Sequence, residues 1–378
     1  MPTWQIHGRA FAALSVVAWS TLTFLLLMLP ASHFDWAYAA DPPDSAQNAG
    51  SLPKVTADRT AIIKKLLAYQ FDTLNSELSA DEEKAEGDPR FEMNAMVAFA
   101  AFDTPLPLIA ERVKDWQKAQ PDSYAAALAR AVSLSATAVR WRGDAAAENV
   151  PDSNMDQMDQ YYSAALKAEN AALSINPNLG IAYALKIKAA RMDAGDLARI
   201  SGEALKRVPA SFAVREQIMY ALRPRWGGSR EAMQKFSDAS QRYAAENPAM
   251  KFLKAWIPLD QGDDNADDNQ WDHAIEEYTE ALRVGGEYWT TYRRRAKAYF
   301  TIGDYPETIH DALHANQLFP QNSEVLRLLA MSTAQDDRPE ACILWSATYL
   351  RFDLPDPAIF ALVQNASKEM KAQGKGNW

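Results

Sequence analysis

Hydrophobic residues fall into two patterns along this chain. Residues 11–29 form one continuous apolar run, FAALSVVAWSTLTFLLLML, preceded by Arg9 and followed by Pro30 and Asp35. Nineteen residues are enough to span a bilayer as a helix. Ser15, Ser20, Thr21 and Thr23 dilute the run, however, and Ala37 and Ala39 ahead of Ala40 have the small-x-small form of a signal-peptidase site. Residues 1–40 are therefore expected to be a signal peptide or an N-terminal membrane anchor. In both cases the positive charge precedes the apolar run, which keeps the N-terminus inside and sends the body across the membrane. Residues 41–54 begin DPPDSAQNAGSLP, offer almost nothing to bury, and read as a flexible linker.

From about residue 55 the second pattern takes over. Ile63, Leu67, Phe71, Leu74 and Leu78 recur at three- and four-residue steps, as do Leu106, Ile109, Val113 and Trp116, and then Tyr124, Leu128, Val132 and Val139. Each series is one apolar stripe along a helix. Breakers separate the stripes: Asp88 with Pro89, Thr104 with Pro105 in a first turn, Pro121 ahead of a Ser123 cap, and Gly143 closing the helix that carries Trp141.

Beyond residue 155 a repeat emerges. Pro177, Pro209, Pro248, Gly286 and Pro320 close successive second helices at spacings of 32, 39, 38 and 34, near the period of about 34 for a helix-turn-helix repeat. The best copy has Tyr292 and Tyr299 in its first helix, a turn at Gly303, Asp304 and Tyr305, and Ala312, Ala315 and Pro320 along the second. It resembles a tetratricopeptide repeat. Trp271, Ala274, Tyr278 and Ala281 occupy the second-helix positions of the preceding unit, and Ala165, Ala172 and Pro177 those of an earlier one. Residues 357–371, with Ile359, Phe360, Leu362 and Val363 inward, form a capping helix. The fold class is all-α, a tetratricopeptide-like array of antiparallel helical pairs.

Residues 66–249 also resemble a bacterial domain-of-unknown-function family. The matching pieces are Trp116 followed by Pro121 and Ser123, Ala129 with Arg130, Trp141 with Gly143, Asn176 with Pro177, and the string RPRWGGS at 223–229. That resemblance implies a helical fold and no catalytic residue, whereas the tetratricopeptide resemblance implies protein binding. The expected organisation is a helical domain at 55–249, then tetratricopeptide-like repeats with their cap at 250–378.

Composition narrows the function. A net charge of -10 argues against a phosphate-binding surface, so nucleic acid is not an expected partner. The single cysteine, Cys342, excludes an intrachain disulfide and a cysteine-rich metal cage, and its apolar surroundings make it a small core residue.

Candidate chemistry is sparse. In the 223–229 string, Pro224 is expected to end a helix, Trp226 to pack into the core, Gly227 and Gly228 to take backbone angles barred to other residues, and Ser229 to cap the next helix. Its alternative reading is a binding edge carried mainly by Arg225 and Trp226, where Arg225 and the amides of Gly228 and Ser229 hold an anion or a partner's carboxylate. His310 and His314 have metal-gripping spacing, but the repeat register turns both to solvent and no third ligand is apparent. The acidic run at 260–272 fits a calcium loop poorly, because Gln270 stands where that loop needs glycine, and it reads as a solvated inter-helix insertion. No nucleophile elbow or catalytic pair stands out, so neither cofactor, metal nor enzymatic activity is expected.

The expected function is a non-catalytic interaction scaffold or adaptor of the bacterial cell envelope. Its body would be periplasmic, secreted or tethered to the inner membrane, with membrane contact only through residues 11–29 if they are retained. A protein or peptide is expected on the concave face, where Tyr288 accompanies a basic cluster of Arg293, Arg294 and Lys297 that could receive an acidic segment. An immunity-type or chaperone-like protein for one exported partner is the alternative, and an enzyme on a helical scaffold a third reading.

Overall fold

The computed structural model describes residues 52–143 and 149–374. The apolar run and most of the linker lie outside the described residues. Seventeen α-helices and no β-strand occur among the described residues. Five precede the regular repeats: α1 (Arg59–Leu67), α2 (Phe71–Gly87), α3 (Glu92–Phe99), α4 (Pro107–Ala119) and α5 (Tyr124–Arg142). Next come α6 (Asp152–Ile175), α7 (Gly180–Ala189), α8 (Ala194–Arg207), α9 (Phe212–Ala221) and α10 (Arg230–Ser240). The last pairs are α11 (Trp256–Asp267) with α12 (Trp271–Gly285), α13 (Trp289–Ile302) with α14 (Tyr305–Leu318), and α15 (Ser323–Gln335) with α16 (Pro339–Tyr349). The closing helix is α17 (Pro357–Ala372).

Local chemistry sets these boundaries. Side chains of Asp58, Ser123, Asp193, Ser211, Ser229, Asp304, Asn322 and Asp356 accept amide hydrogens that the first turns leave free. Gly143, Gly286 and Gly303 end α5, α12 and α13 at φ of +65°, +82° and +85°, angles that cost a side chain about 1–2 kcal/mol.

Three expectations need correction. The stripe from Ile63 to Leu78 is two helices, because Tyr69 turns left-handed at φ +57° and separates α1 from α2. The helix after Thr104 starts at Pro107, so Pro105 precedes the first turn. The acidic run at 260–272 is no insertion: through Asp267 it is the body of α11, and its turn is made at Asn269, φ +60°.

Nearly all helices that follow one another pack against one another, α3 and α4 excepted, and α13 also meets α15, as α15 meets α17. Small residues set the approach. Ala165, Ala172, Ala274, Ala281, Ala312 and Ala315 are all fully buried. A Cβ at Gly262 on α11 would lie 2.4 Å from the Tyr278 ring on α12, so that pair closes only over glycine. Within the α13–α14 pair, Trp289 stacks on Phe319 at 4.5 Å. Cys342 is fully buried, as its surroundings predict.

Packing is continuous across residue 249. One core cluster contains Met93, Phe212, Met219, Met250, Trp256, Tyr278 and Phe319. The start of the array also reaches its end: the buried Arg59 guanidinium donates to the carbonyls of Pro320 and Gln321 and lies 4.8 Å from the Phe352 ring.

Candidate partner-binding face

The 223–229 string lies between α9 and α10, the two helices of one pair. Pro224 fixes a single 3-10 turn, Pro224–Trp226, and the Arg223 carbonyl accepts the amides of Trp226 at 2.9 Å and Gly228 at 3.2 Å. Gly227 is left-handed at φ +86°. Gly228 is required for a different reason, since a Cβ there would sit 2.1 Å from the Leu222 carbonyl oxygen. Ser229 caps α10 by accepting the Ala232 amide at 3.1 Å.

The arginines of this turn are spent on α11. Asp260, Asp263, Asp264 and Asp267 recur at three- and four-residue steps, so they form one stripe on that helix. Buried Arg223 donates from Nε to Asp260 Oδ1 and from Nη2 to Asp263 Oδ2, both at 2.7 Å. Arg230 takes the other oxygen of Asp260 at 2.9 Å and also reaches Asp264. Arg225 pairs with Asp267 and stands 3.8 Å from Asp264. From the far side, Arg294 of α13 approaches Asp263 at 3.2 Å and the Tyr278 hydroxyl donates to it at 3.0 Å. Burial works against the Arg223 charge, but Asp263 and Asp260 more than offset it, and its pKa stands above the ordinary arginine value.

This geometry revises the anion-pocket reading. Arg225 already has two carboxylate neighbours, and the Gly228 amide is bonded within the turn. Trp226 is not core: the turn lifts it outward, leaving it 36% exposed. Its ring rests on Tyr220 at 6.1 Å, and the Arg191 guanidinium lies 4.5 Å from the Tyr220 ring and 5.5 Å from that of Trp226. Tyr220 meets Trp256 edge-on at 5.8 Å, and Arg294 lies 5.3 Å from the Trp256 ring. Three aromatic rings, Trp226, Tyr220 and Trp256, thus lie between the guanidiniums of Arg191 and Arg294, with Trp226 as the open end. Cation-aromatic contacts of this kind contribute about 0.5–2 kcal/mol each.

The aromatic and basic residues expected to bind near residue 290, Tyr288, Arg293, Arg294 and Lys297, are largely committed elsewhere. Tyr288 is fully buried, stacked on Phe252 at 5.0 Å, with its hydroxyl donating to Glu216. Arg293 pairs with Glu324 and Arg294 with Asp263. Lys297 alone of the four is exposed. An acidic segment would therefore have to displace internal carboxylates before reaching the arginines. His310 is exposed, whereas His314 is half-buried and stacked on Tyr292 at 5.2 Å, which modifies the expectation that both face solvent. Among the described residues no group of three or more His, Cys, Asp or Glu side chains is placed to hold a metal ion.

Sequence reading missed the buried carboxylates. Glu92 accepts from Phe212 N at 2.6 Å, Ala213 N at 3.3 Å, Asn247 Nδ2 at 2.9 Å and the Ser211 hydroxyl, anchoring the start of α9. Burial pushes Glu216 up to about 8, with Arg294 opposing, and does the same to Glu82 and Glu169.

No family model matches the chain. A segment of 130 residues is 30% identical to "Translocon at the outer membrane of chloroplasts 64" of Pisum sativum. The match takes in 32% of this chain and only 22% of that protein. Among solved structures, the crystal structure of yeast Tom70 aligns with a TM-score of 0.39 and 12% identity, over 86% of this chain and 67% of the other.

Proposed function

We propose that this chain is a non-catalytic, protein-binding helical scaffold, and that its partner contacts the face formed by Arg191, Tyr220 and Trp226. The observation that carries the reading is Trp226 itself. A tryptophan held half-open on a turn, tilted against one aromatic ring and flanked by a guanidinium, has the composition of an interface anchor rather than of ordinary surface. The array behind it supplies an extended rigid support. Membership of the partly matching relative in a translocon, by its name, is compatible with a protein-handling role.

The setting we propose is the cell envelope, with residues 11–29 as the export or anchoring element and the repeats outside the cytoplasm. Among the described residues no single helix is long and apolar enough to cross a membrane. Alkaline phosphatase fused after residue 55 is expected to be active in cells, and an inactive fusion would overturn the setting. For binding, the intact chain and its Trp226→Ala variant are compared in cross-linked purification from envelope fractions. Loss of a discrete partner band in the variant is expected, and an unchanged band would refute this face as the contact.

A further inference from the structure

Glu82 occupies an inward position on α2, in helical register with Leu74 and Leu78, and is 4% exposed. Its Oε1 has no hydrogen-bond partner. The residue lines a cavity of about 290 Å³ bounded by α2, the Pro89 to Glu92 segment, the start of α7 and the α8 to α9 turn. Glu86, Glu92 and Glu246 also line it, against one cation, Arg207. Ala85, Ile181, Val208 and Pro209 supply apolar wall.

We propose that this cavity is a binding site for an alkylammonium group, with the Glu82 carboxylate as its acceptor. Three observations specify the ligand. A buried carboxyl oxygen without a donor is costly, at roughly 1–3 kcal/mol for a neutral group and more when charged, and a donor arriving from outside removes that cost. Glu92 is already occupied by Ser211, Phe212, Ala213 and Asn247, which leaves Glu82 as the deep acceptor. The apolar wall beside the carboxyls suits a methylene stem ending in an ammonium. The volume is about that of ten waters at roughly 30 Å³ each, ample for an aminobutyl chain.

The ammonium comes either from a lysine side chain of a protein or from a free diamine. The site does not depend on the Trp226 face. Binding is pH-linked. Burial, together with Glu92, Glu86 and Asp81, pushes the Glu82 carboxyl up to about 8, while Arg207 and Glu246 line the same cavity and the Tyr124 phenol senses the Glu82 charge. Below that pH the free site holds a proton, and an arriving ammonium expels it. Affinity therefore rises with pH up to about 8, approaching tenfold per unit below it, and levels off until the amine itself deprotonates near 10.4.

The test is calorimetric titration of the full chain with 1,5-diaminopentane and with Nα-acetyl-lysine N-methylamide, using Nα-acetyl-norleucine N-methylamide as the amine-free control. One or both amines are expected to bind at pH 7.5 with proton release, and the control not at all. The stronger amine identifies the source. Glu82→Gln is expected to weaken binding at least tenfold and abolish proton release, and Arg207→Ala, at an exposed position, to strengthen binding by removing the internal competitor. Absence of amine binding by both wild type and Arg207→Ala, or equal binding by wild type and Glu82→Gln, overturns the proposal.

Discussion

Replacing Arg223 by methionine separates a structural clasp from a ligand site. The substitution keeps most of the side-chain volume and removes two 2.7 Å ion pairs, to Asp260 and Asp263. Breaking a buried pair by removing one partner costs about 3–5 kcal/mol, because the remaining charge is left in a poor environment. Here each carboxylate retains help, Asp260 from Arg230 and Asp263 from Arg294 and Tyr278. The lower end, about 3 kcal/mol, is therefore expected. With a urea slope of about 3 kcal/mol/M for a chain of this size, the midpoint falls by roughly 1 M. Unfolding is followed by tryptophan fluorescence and far-UV dichroism on wild type, Arg223→Met, Asp260→Leu and the double variant. The double variant is expected to be more stable than the two single losses added together, since no lone charge remains. A loss under about 0.5 kcal/mol in Arg223→Met, with additive effects in the double variant, would refute the clasp.

Other consequences follow from the same geometry. Gly228→Ala is expected to cost about 3 kcal/mol, because the new Cβ meets the Leu222 carbonyl, and Gly227→Ala about 1–2 kcal/mol for its left-handed angle; a harmless Gly228→Ala would contradict the turn. Trp226→Ala is expected to lower stability by no more than about 1 kcal/mol while abolishing partner capture, and a large stability loss would return Trp226 to the core. Glu169 is fully buried with neither carboxyl oxygen bonded, and its pKa is raised to about 8. The folded chain then binds a proton that the unfolded chain releases, so this stabilisation is complete below about pH 4.5 and is lost as pH rises through about 8. Relative to Glu169→Gln, wild type is expected to lose on the order of 4 kcal/mol between pH 5 and 8.5, and a constant gap across that range would contradict the burial.

Much of the fold was legible because periodicity and closers record it directly. Pro177, Pro209, Gly286 and Pro320 each follow a second helix, and Ala274, Tyr278, Ala281, Ala312 and Ala315 lie buried at their expected positions. The acidic run was not legible. Four aspartates on one stripe look solvated until the arginines of a turn some 30 to 40 residues earlier are placed against them. Tyr288 and Arg294 escape a sequence reading for the same reason, since the Tyr288 hydroxyl is taken by Glu216 and the Arg294 guanidinium pairs with Asp263, both from distant helices. The string at 223–229 allows Trp226 to be either a core residue or part of a binding edge, and only its 36% exposure on the turn separates the two. A signal for the buried carboxylates did exist: Glu82 continues the Leu74 and Leu78 stripe, and Glu169 sits between Ala168 and Ala172 on the inward face of α6.

Site-specific photo-crosslinking in intact cells tests the central claim most directly. A photoreactive phenylalanine analogue replaces Trp226 in one strain and Lys167, an exposed residue of α6, in another. The account predicts a discrete protein adduct from position 226 that position 167 does not give. No adduct at 226, or the same adducts at both positions, would contradict it.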